Sequence, residues 1–130
     1  MNLSELNSIN IFVNDMNKTV KFYKLLGFEF PEEKENKTYL KGKIKGLTLS
    51  FYAKEVFIEF FSYKTDVNAS GYPFSIAIRI STINQFDNIF KKIEEKGYRA
   101  FKPIEDTSWG QRTVFFLDPD KNLIEINAIL

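Results

Sequence analysis

The same order of elements runs twice through this 130-residue chain, and that duplication limits the fold more than any other feature. In the first half Ser8–Val13 alternates, with Ile9, Ile11 and Val13 on one face and Ser8, Asn10 and Phe12 on the other, the period of a half-buried strand. Asp15 then stands at a helix N-cap, Met16, Val20, Tyr23 and Leu26 follow at helical spacing, and Gly27 supplies the stop. Phe28–Pro31 is expected as a strand and Glu32–Lys37 as a turn. Thr38–Ala53 is expected to give one or two strands bent near Gly42 or Gly46, and Val56–Phe61 a closing strand with Phe57, Glu59 and Phe61 on one face. Ser62–Pro73 reads as a connecting loop.

After the loop the pattern returns. In Phe74–Ile80, Ile76, Ile78 and Ile80 oppose Ser75, Ala77 and Arg79, and Ser81 or Thr82 caps a helix whose apolar stripe is Ile83, Phe86, Phe90 and Ile93. Gly97 stops it. Tyr98–Lys102 is expected as a strand, Glu105–Gly110 as a loop, and Thr113–Leu117 and Leu123–Ile129 as strands joined by a tight turn at Asp118–Asn122. Ser8-Ile9-Asn10-Ile11 lies over Ser75-Ile76-Ala77-Ile78, and Ile58-Glu59 over Ile124-Glu125. From the first Ser to the following Glu the chain advances 51 residues in one half and 50 in the other. The fold class is therefore α+β, two βαβββ modules at about 6–62 and 74–130 within one domain spanning 1–130.

Charge and composition remove several function classes. Lys and Arg number 18 against 17 Asp and Glu, a net charge of +1 with no basic footprint for nucleic acid. The small run Lys41-Gly42-Lys43-Ile44-Lys45 reads as a solvated hairpin. No apolar run reaches membrane-spanning or signal-peptide length, so a soluble, cytoplasmic protein with no membrane partner is expected. With no Cys there is no disulfide, thiolate site or cysteine nucleophile, and with no His the commonest general base and metal ligand are missing. Gly-rich phosphate loops, nucleophile elbows and Ser-His-Asp sets do not occur. The 14 Phe and 6 Tyr suit either a Phe-rich core or an aromatic-lined cavity.

Two stretches carry a family resemblance. Ile11-Phe12-Val13-Asn14-Asp15-Met16, with Phe22-Tyr23 and Leu26-Gly27-Phe28 after it, is similar to the opening of vicinal oxygen chelate proteins. That group includes glyoxalase I, bleomycin-resistance proteins and extradiol dioxygenases. Trp109-Gly110-Gln111-Arg112 followed by Asp118-Pro119-Asp120-Lys121-Asn122-Leu123-Ile124-Glu125 resembles the family's closing segment. The resemblance implies that each module curls its sheet into a half-barrel and that paired modules enclose a cavity. It also implies a homodimer. Metal-dependent members place ligands on the first and last strand of each module, commonly His or Gln and then Glu. Those positions fall on Ser8 and Glu59 and on Ser75 and Glu125 here. Serine is a poor ligand for Zn, Ni or Fe, so no cofactor is expected, with a hard divalent metal left as the open alternative.

Strand parity places Glu59 and Glu125 on the face of Ser8 and Ser75, along with Asn10, Phe12, Phe57, Phe61 and Asn127. Two carboxylates sharing a cavity repel, so Arg79, on the same face as Ser75, is the expected internal partner. Trp109 is expected to lid a pocket or to staple a dimer. Arg112 is expected to bind an anionic group of a ligand or to pair with Asp118 or Asp120.

Three functions are open on these residues. The first is a metal-independent binding protein resembling the bleomycin-resistance branch, sequestering a planar or cationic small molecule between phenylalanines and glutamates. The second is a glyoxalase-like lyase or isomerase with Glu125 or Glu59 as base and a weakly held divalent metal. The third is an inactive dimeric interaction module.

Overall fold

The computed structural model describes residues 9–32, 38–61 and 75–130, and the chain divides into two compact units, 1–69 and 70–130. In the first unit β1 (Ile9–Val13) leads to α1 (Met16–Leu25), then β2 (Tyr39–Ile44), β3 (Leu47–Ala53) and α2 (Lys54–Phe61). The sheet order is β1-β3-β2, with β1 parallel and β2 antiparallel to β3. Asp15 has extended backbone angles and its side chain accepts a hydrogen bond from the Lys18 N–H at 3.1 Å, which starts α1 where the sequence placed its cap. The helix buries Met16, Thr19, Phe22 and Tyr23 against the sheet side that carries Leu49 and Phe51. Tyr23 is the centre of this core. Its ring lies 4.8 Å from Phe51 and meets Phe22 and Phe28 edge to face at 5.4 and 5.3 Å.

Gly42 lies mid-strand opposite Leu49, and the bend falls instead at Gly46, where β2 turns into β3 with φ +84°. A Cβ at Gly42 would stand 2.8 Å from the Phe30 ring, so the missing side chain lets Phe30 cross β2 and pack on Phe51. Phe28–Pro31, expected as a strand, forms only a bridge between Glu29 and Lys43.

The closing strand expected at Val56–Phe61 is helix α2, which packs on β1 and β3. The segment fits both periods, because Val56, Phe57, Phe60 and Phe61 recur at helical spacing while Glu55 and Glu59 stand four residues apart. No turn residue separates β3 from it, so the chain leaves the sheet directly into a helix. Glu59 is consequently an exposed helical residue, and the shared strand face with Phe57 and Phe61 does not exist. The Phe57 and Phe61 side chains, Ser8, most of the Glu32–Lys37 turn and the loop from Ser62 lie outside the described residues.

The second unit runs β4 (Ser75–Arg79), α3 (Ile83–Glu95), β5 (Lys102–Asp106), β6 (Gln111–Leu117) and β7 (Leu123–Ile129). Its sheet order is β4-β7-β6-β5, again with first and last strands parallel. Thr82 caps α3, its hydroxyl accepting from the Gln85 N–H, and Gly97 at φ +93° ends the helix with the backbone conformation that Gly27 adopts after α1. Phe86 and Ile93 are fully buried over Val114, Phe116, Ile124 and Ile126. The strand expected at Tyr98–Lys102 begins at Lys102, where a register shift follows before Glu105.

Matching the two sheets strand by strand corrects the repeat. Ile9 pairs with Leu49 as Ile76 pairs with Ile124, so Asn10 and Ser50 in the first unit correspond to Ala77 and Glu125 in the second. The counterpart of Glu125 is Ser50. The sequence match to Glu59 came from a similar Ile-Glu pair in α2, beyond the last strand of that sheet.

Candidate functional site

α1 packs on one face of the first sheet and α3 on one face of the second; the opposite face of each, termed its open face, still buries Ser50 in the first unit and Thr113 and Asn127 in the second. In the second unit the open face forms rows set by register. Ser75, Leu123 and Leu117 make one row, Ala77, Glu125, Phe115 and Lys102 the next, and Arg79, Asn127 and Thr113 a third. Side chains two residues apart on β7 therefore meet, and Arg79 faces Asn127 across the parallel pair. The Arg79 Nε donates to Asn127 Oδ1 at 2.5 Å, and Asn127 Nδ2 donates to Glu125 Oε2 at 2.5 Å. Asn127, buried, thus fixes its amide orientation by using one end for a cation and the other for a carboxylate.

The direct Arg79–Glu pairing expected from sequence is replaced by this three-residue relay. Arg79 gives its Nε to an amide, and among the described residues no carboxylate pairs with it. Glu125 keeps a second carboxylate oxygen beyond the one bonded to Asn127. Small Ala77 flanks it on one side and the Phe115 ring on the other, and Lys102 lies 5.9 Å from that ring's centre. Phe115 was not anticipated. Its signal was available, since the tight turn at Asp118–Asn122 fixes the hairpin register that sets it opposite Glu125.

The open face of the first unit is aromatic. Tyr52 on β3 lies between Phe12 on β1 and Tyr39 on β2, with ring centres 5.8 and 4.7 Å apart. Asn10 is exposed in the next row beside Ser50. Tyr39 and Tyr52 were also missed, because their pairing depends on the turn being at Gly46.

Arg112 belongs elsewhere. It pairs with Ala128, which alternates with Asn127 and so lies on the helix side of the sheet. Its Nε donates to Asp106 at 2.7 Å and its Nη1 to Asp87 of α3 at 3.2 Å. These two carboxylates, not Asp118 or Asp120, hold it, and they tie α3 to β5 and β6. The hydrogen bond from Arg112 keeps the Asp106 carboxyl below its ordinary value of 3.8 and raises the guanidinium's own value further. The unfolded chain then binds the proton more readily, so this pair contributes stability above pH 3.8 and loses it as pH falls through the lowered value. Asp106→Asn should therefore lower the melting temperature slightly at neutral pH. The gap to the wild type should close on acidification below pH 3.8, followed by thermal melts across the acid limb.

Trp109 is 72% exposed at the tip of the β5–β6 connection, where Thr107 and Gln111 bond reciprocally and close the turn. Ile129 and Leu130 are also exposed, and Leu130 N bonds to the Gly110 carbonyl next to Trp109.

As metal ligands these residues fit badly. The paired strands β4 and β7 offer one carboxylate, Glu125, already bonded to Asn127, and the exposed Ser75 hydroxyl, while the position matching Glu125 in the first unit is Ser50. Among the described residues no group of three or more His, Cys, Asp or Glu stands together to hold an ion. A cleft of about 360 Å³ opens between the end of β4 at Arg79, Ile80 and Ser81 and one face of α3. Among the described residues no helix is long and apolar enough to cross a membrane.

Two units that each set their first strand parallel beside their last, pair that last strand antiparallel with the strand before it, and place a helix after the first strand follow the pattern of a duplicated βαβββ protein. The sequence profile of the Glyoxalase/Bleomycin resistance protein/Dioxygenase superfamily matches residues 5–126, and the chain belongs to that superfamily. The uncharacterized protein YraH of Bacillus subtilis (strain 168) is 29% identical over 131 residues, covering 97% of this chain and 99% of its own. A glyoxalase/bleomycin resistance protein/dioxygenase family enzyme from Burkholderia phytofirmans PsJN superposes with TM-score 0.79 at 22% identity, over 98% of this chain and 100% of that one. The fosfomycin resistance protein FosX from Listeria monocytogenes superposes with TM-score 0.74 at 23% identity, over 98% and 95%. At these identities the superpositions show the fold.

Proposed function

We propose that this chain is a metal-independent small-molecule binding protein of the bleomycin-resistance-like type, taking a planar cationic ligand on the open face of the second unit. The observation that carries the reading is Glu125, a carboxylate set beside the Phe115 ring and held in orientation by Asn127 and Arg79. A flat cation stacks on Phe115 and places its charge over the free Glu125 oxygen, with Ala77 leaving room for its edge. Serine at Ser75 and Ser50 and the shortage of carboxylates favour binding without a metal. A base alone, with nothing to stabilise an enediolate, is a weak catalyst. The protein works in this reading as a homodimer, supported by the exposed apolar side chains of Trp109, Ile129 and Leu130 at one end of the second sheet.

Proflavine, a planar fluorescent cation, is the probe. Saturable binding is expected, weakened about tenfold by Glu125→Gln, which is about 1.4 kcal/mol. Binding indifferent to that substitution removes the proposal. Turnover of a glutathione hemithioacetal on addition of Zn, Ni or Mn would favour the lyase instead. Sedimentation of the purified chain should give a dimer, and Trp109→Ser should shift it toward monomer.

A further inference from the structure

We infer, resting on the Glu125 site proposed above, that its ligand is a planar zwitterion and that Lys102 is the residue that selects the anionic group. One register row crosses the second sheet from Glu125 on β7 through Phe115 on β6 to Lys102 on β5. Its order is carboxylate, ring, ammonium. The Lys102 Nζ lies 5.9 Å from the centre of the Phe115 ring, so the ring has a cation on one flank and a carboxylate residue on the other. The next row reverses the polarity, from Arg79 to Glu105, but Asn127 and Thr113 stand at its middle and offer no ring to stack on.

The position of Lys102 is built by an irregularity in β5. On a regular strand, residues three apart point to opposite faces. The register shift between Lys102 and Glu105 brings both to the open face, Lys102 opposite Phe115 and Glu105 opposite Thr113, where Nζ and Oε1 meet at 3.1 Å. Pro103, within the shift, has no N–H to lose from the ladder. A bulge of this kind gives up regular pairing and re-aims a side chain. Here it re-aims an ammonium over the ring on which the ligand stacks.

A ligand carrying only positive charge meets that ammonium across the same ring, and like charges at such a range repel. A carboxylate on the ligand turns the contact into an attraction. Neighbouring strands are about 4.8 Å apart, which sets β7 and β5 about 10 Å apart, a separation that opposite charges at the two ends of a fused aromatic system span. The Lys102–Glu105 bridge does not close the site. Both side chains are exposed, such a bridge contributes little, and the ammonium has further donors beyond the one facing Glu105.

The test is calorimetric titration of the whole protein with 6-amidino-2-naphthoate and with its methyl ester, a zwitterion and a cation on one planar ring system. The zwitterion is expected to bind about fivefold tighter, the scale of one exposed ion pair. Lys102→Met, which keeps an aliphatic stem, should remove that preference by weakening the zwitterion and tightening the ester. Glu125→Gln should weaken both, and Lys91→Gln, on α3, should change neither. Equal affinities in the wild type, or a preference that survives Lys102→Met, overturn the inference, while weakening by Glu125→Gln in the same series leaves the cation site standing. Binding of neither compound, or binding indifferent to Glu125→Gln, overturns the cation site and this ligand class with it.

Discussion

Phe51→Ala is expected to destabilise the first unit by about 3–5 kcal/mol, the usual cost of emptying a buried aromatic site. The side chain is fully buried on the central strand of its sheet, between β1 and β2. Its ring packs against Tyr23 at 4.8 Å and Phe30 at 5.8 Å, so truncation removes the partner of two aromatic neighbours at once. Collapse into the space is hindered, because Tyr23 is already held by Phe22 and Phe28 and Leu49 is fully buried in the same layer. Phe30, half-buried over Gly42, is the neighbouring ring placed to follow. Phe51→Leu keeps most of the volume and should cost about 1–1.5 kcal/mol. In urea, with a slope of about 2 kcal/mol per molar, the alanine variant should move the midpoint down by about 2 M. A shift below about 0.5 M would mean that this aromatic cluster is not the core of the unit.

Much of this architecture is legible in the residues themselves. Alternation alone gives the inner faces of Ile9–Val13 and Ser75–Arg79, because a strand with one covered side must repeat every second residue. Asp15 and Thr82 with Gly27 and Gly97 fix both ends of α1 and α3 through local backbone chemistry. The failures share a different origin. Val56–Phe61 satisfies two periods, and the choice of helix goes with its packing on β1 and β3, which is a tertiary matter. That single choice carried Glu59 into the candidate site and displaced Ser50 from it. Arg112 shows a related failure, since its partners Asp87 and Asp106 lie 25 and 6 residues away and no local spacing selects them. Its parity was nonetheless visible, as Arg112 alternates with Val114 and Phe116 toward the helix while Thr113 and Phe115 face the open side. Reading the site from the tight turn outward, by register, would have found Phe115 and left Arg112 out.

The same turn sets the most severe substitution outside the hydrophobic core. Asp118 is 3% exposed, and its carboxylate accepts from the Asp120 N–H at 2.9 Å, the Asn122 N–H at 2.7 Å and the Asn122 side-chain amide at 2.9 Å. Lys121 adopts φ +67° within the turn, a conformation that bulky residues hold only when their surroundings impose it. Asp118→Ala removes one charged acceptor and leaves those donors without it, for about 3–5 kcal/mol. Asp118→Asn retains one carbonyl oxygen for the backbone donors but turns an NH₂ toward the Asn122 amide, and about half of the loss should return. The consequence for binding is separate from stability. The turn dictates that Leu117 opposes Leu123, and hence that Phe115 opposes Glu125 and Thr113 opposes Asn127. A slip of one residue would carry Glu125 and Asn127 to the helix side, because side chains alternate along the strand. In Asp118→Ala at temperatures where the fold persists, proflavine affinity should therefore fall at least as far as in Glu125→Gln. Full affinity in a destabilised Asp118→Ala protein would show that the register, and with it the relay, is held by the strands and not by the turn.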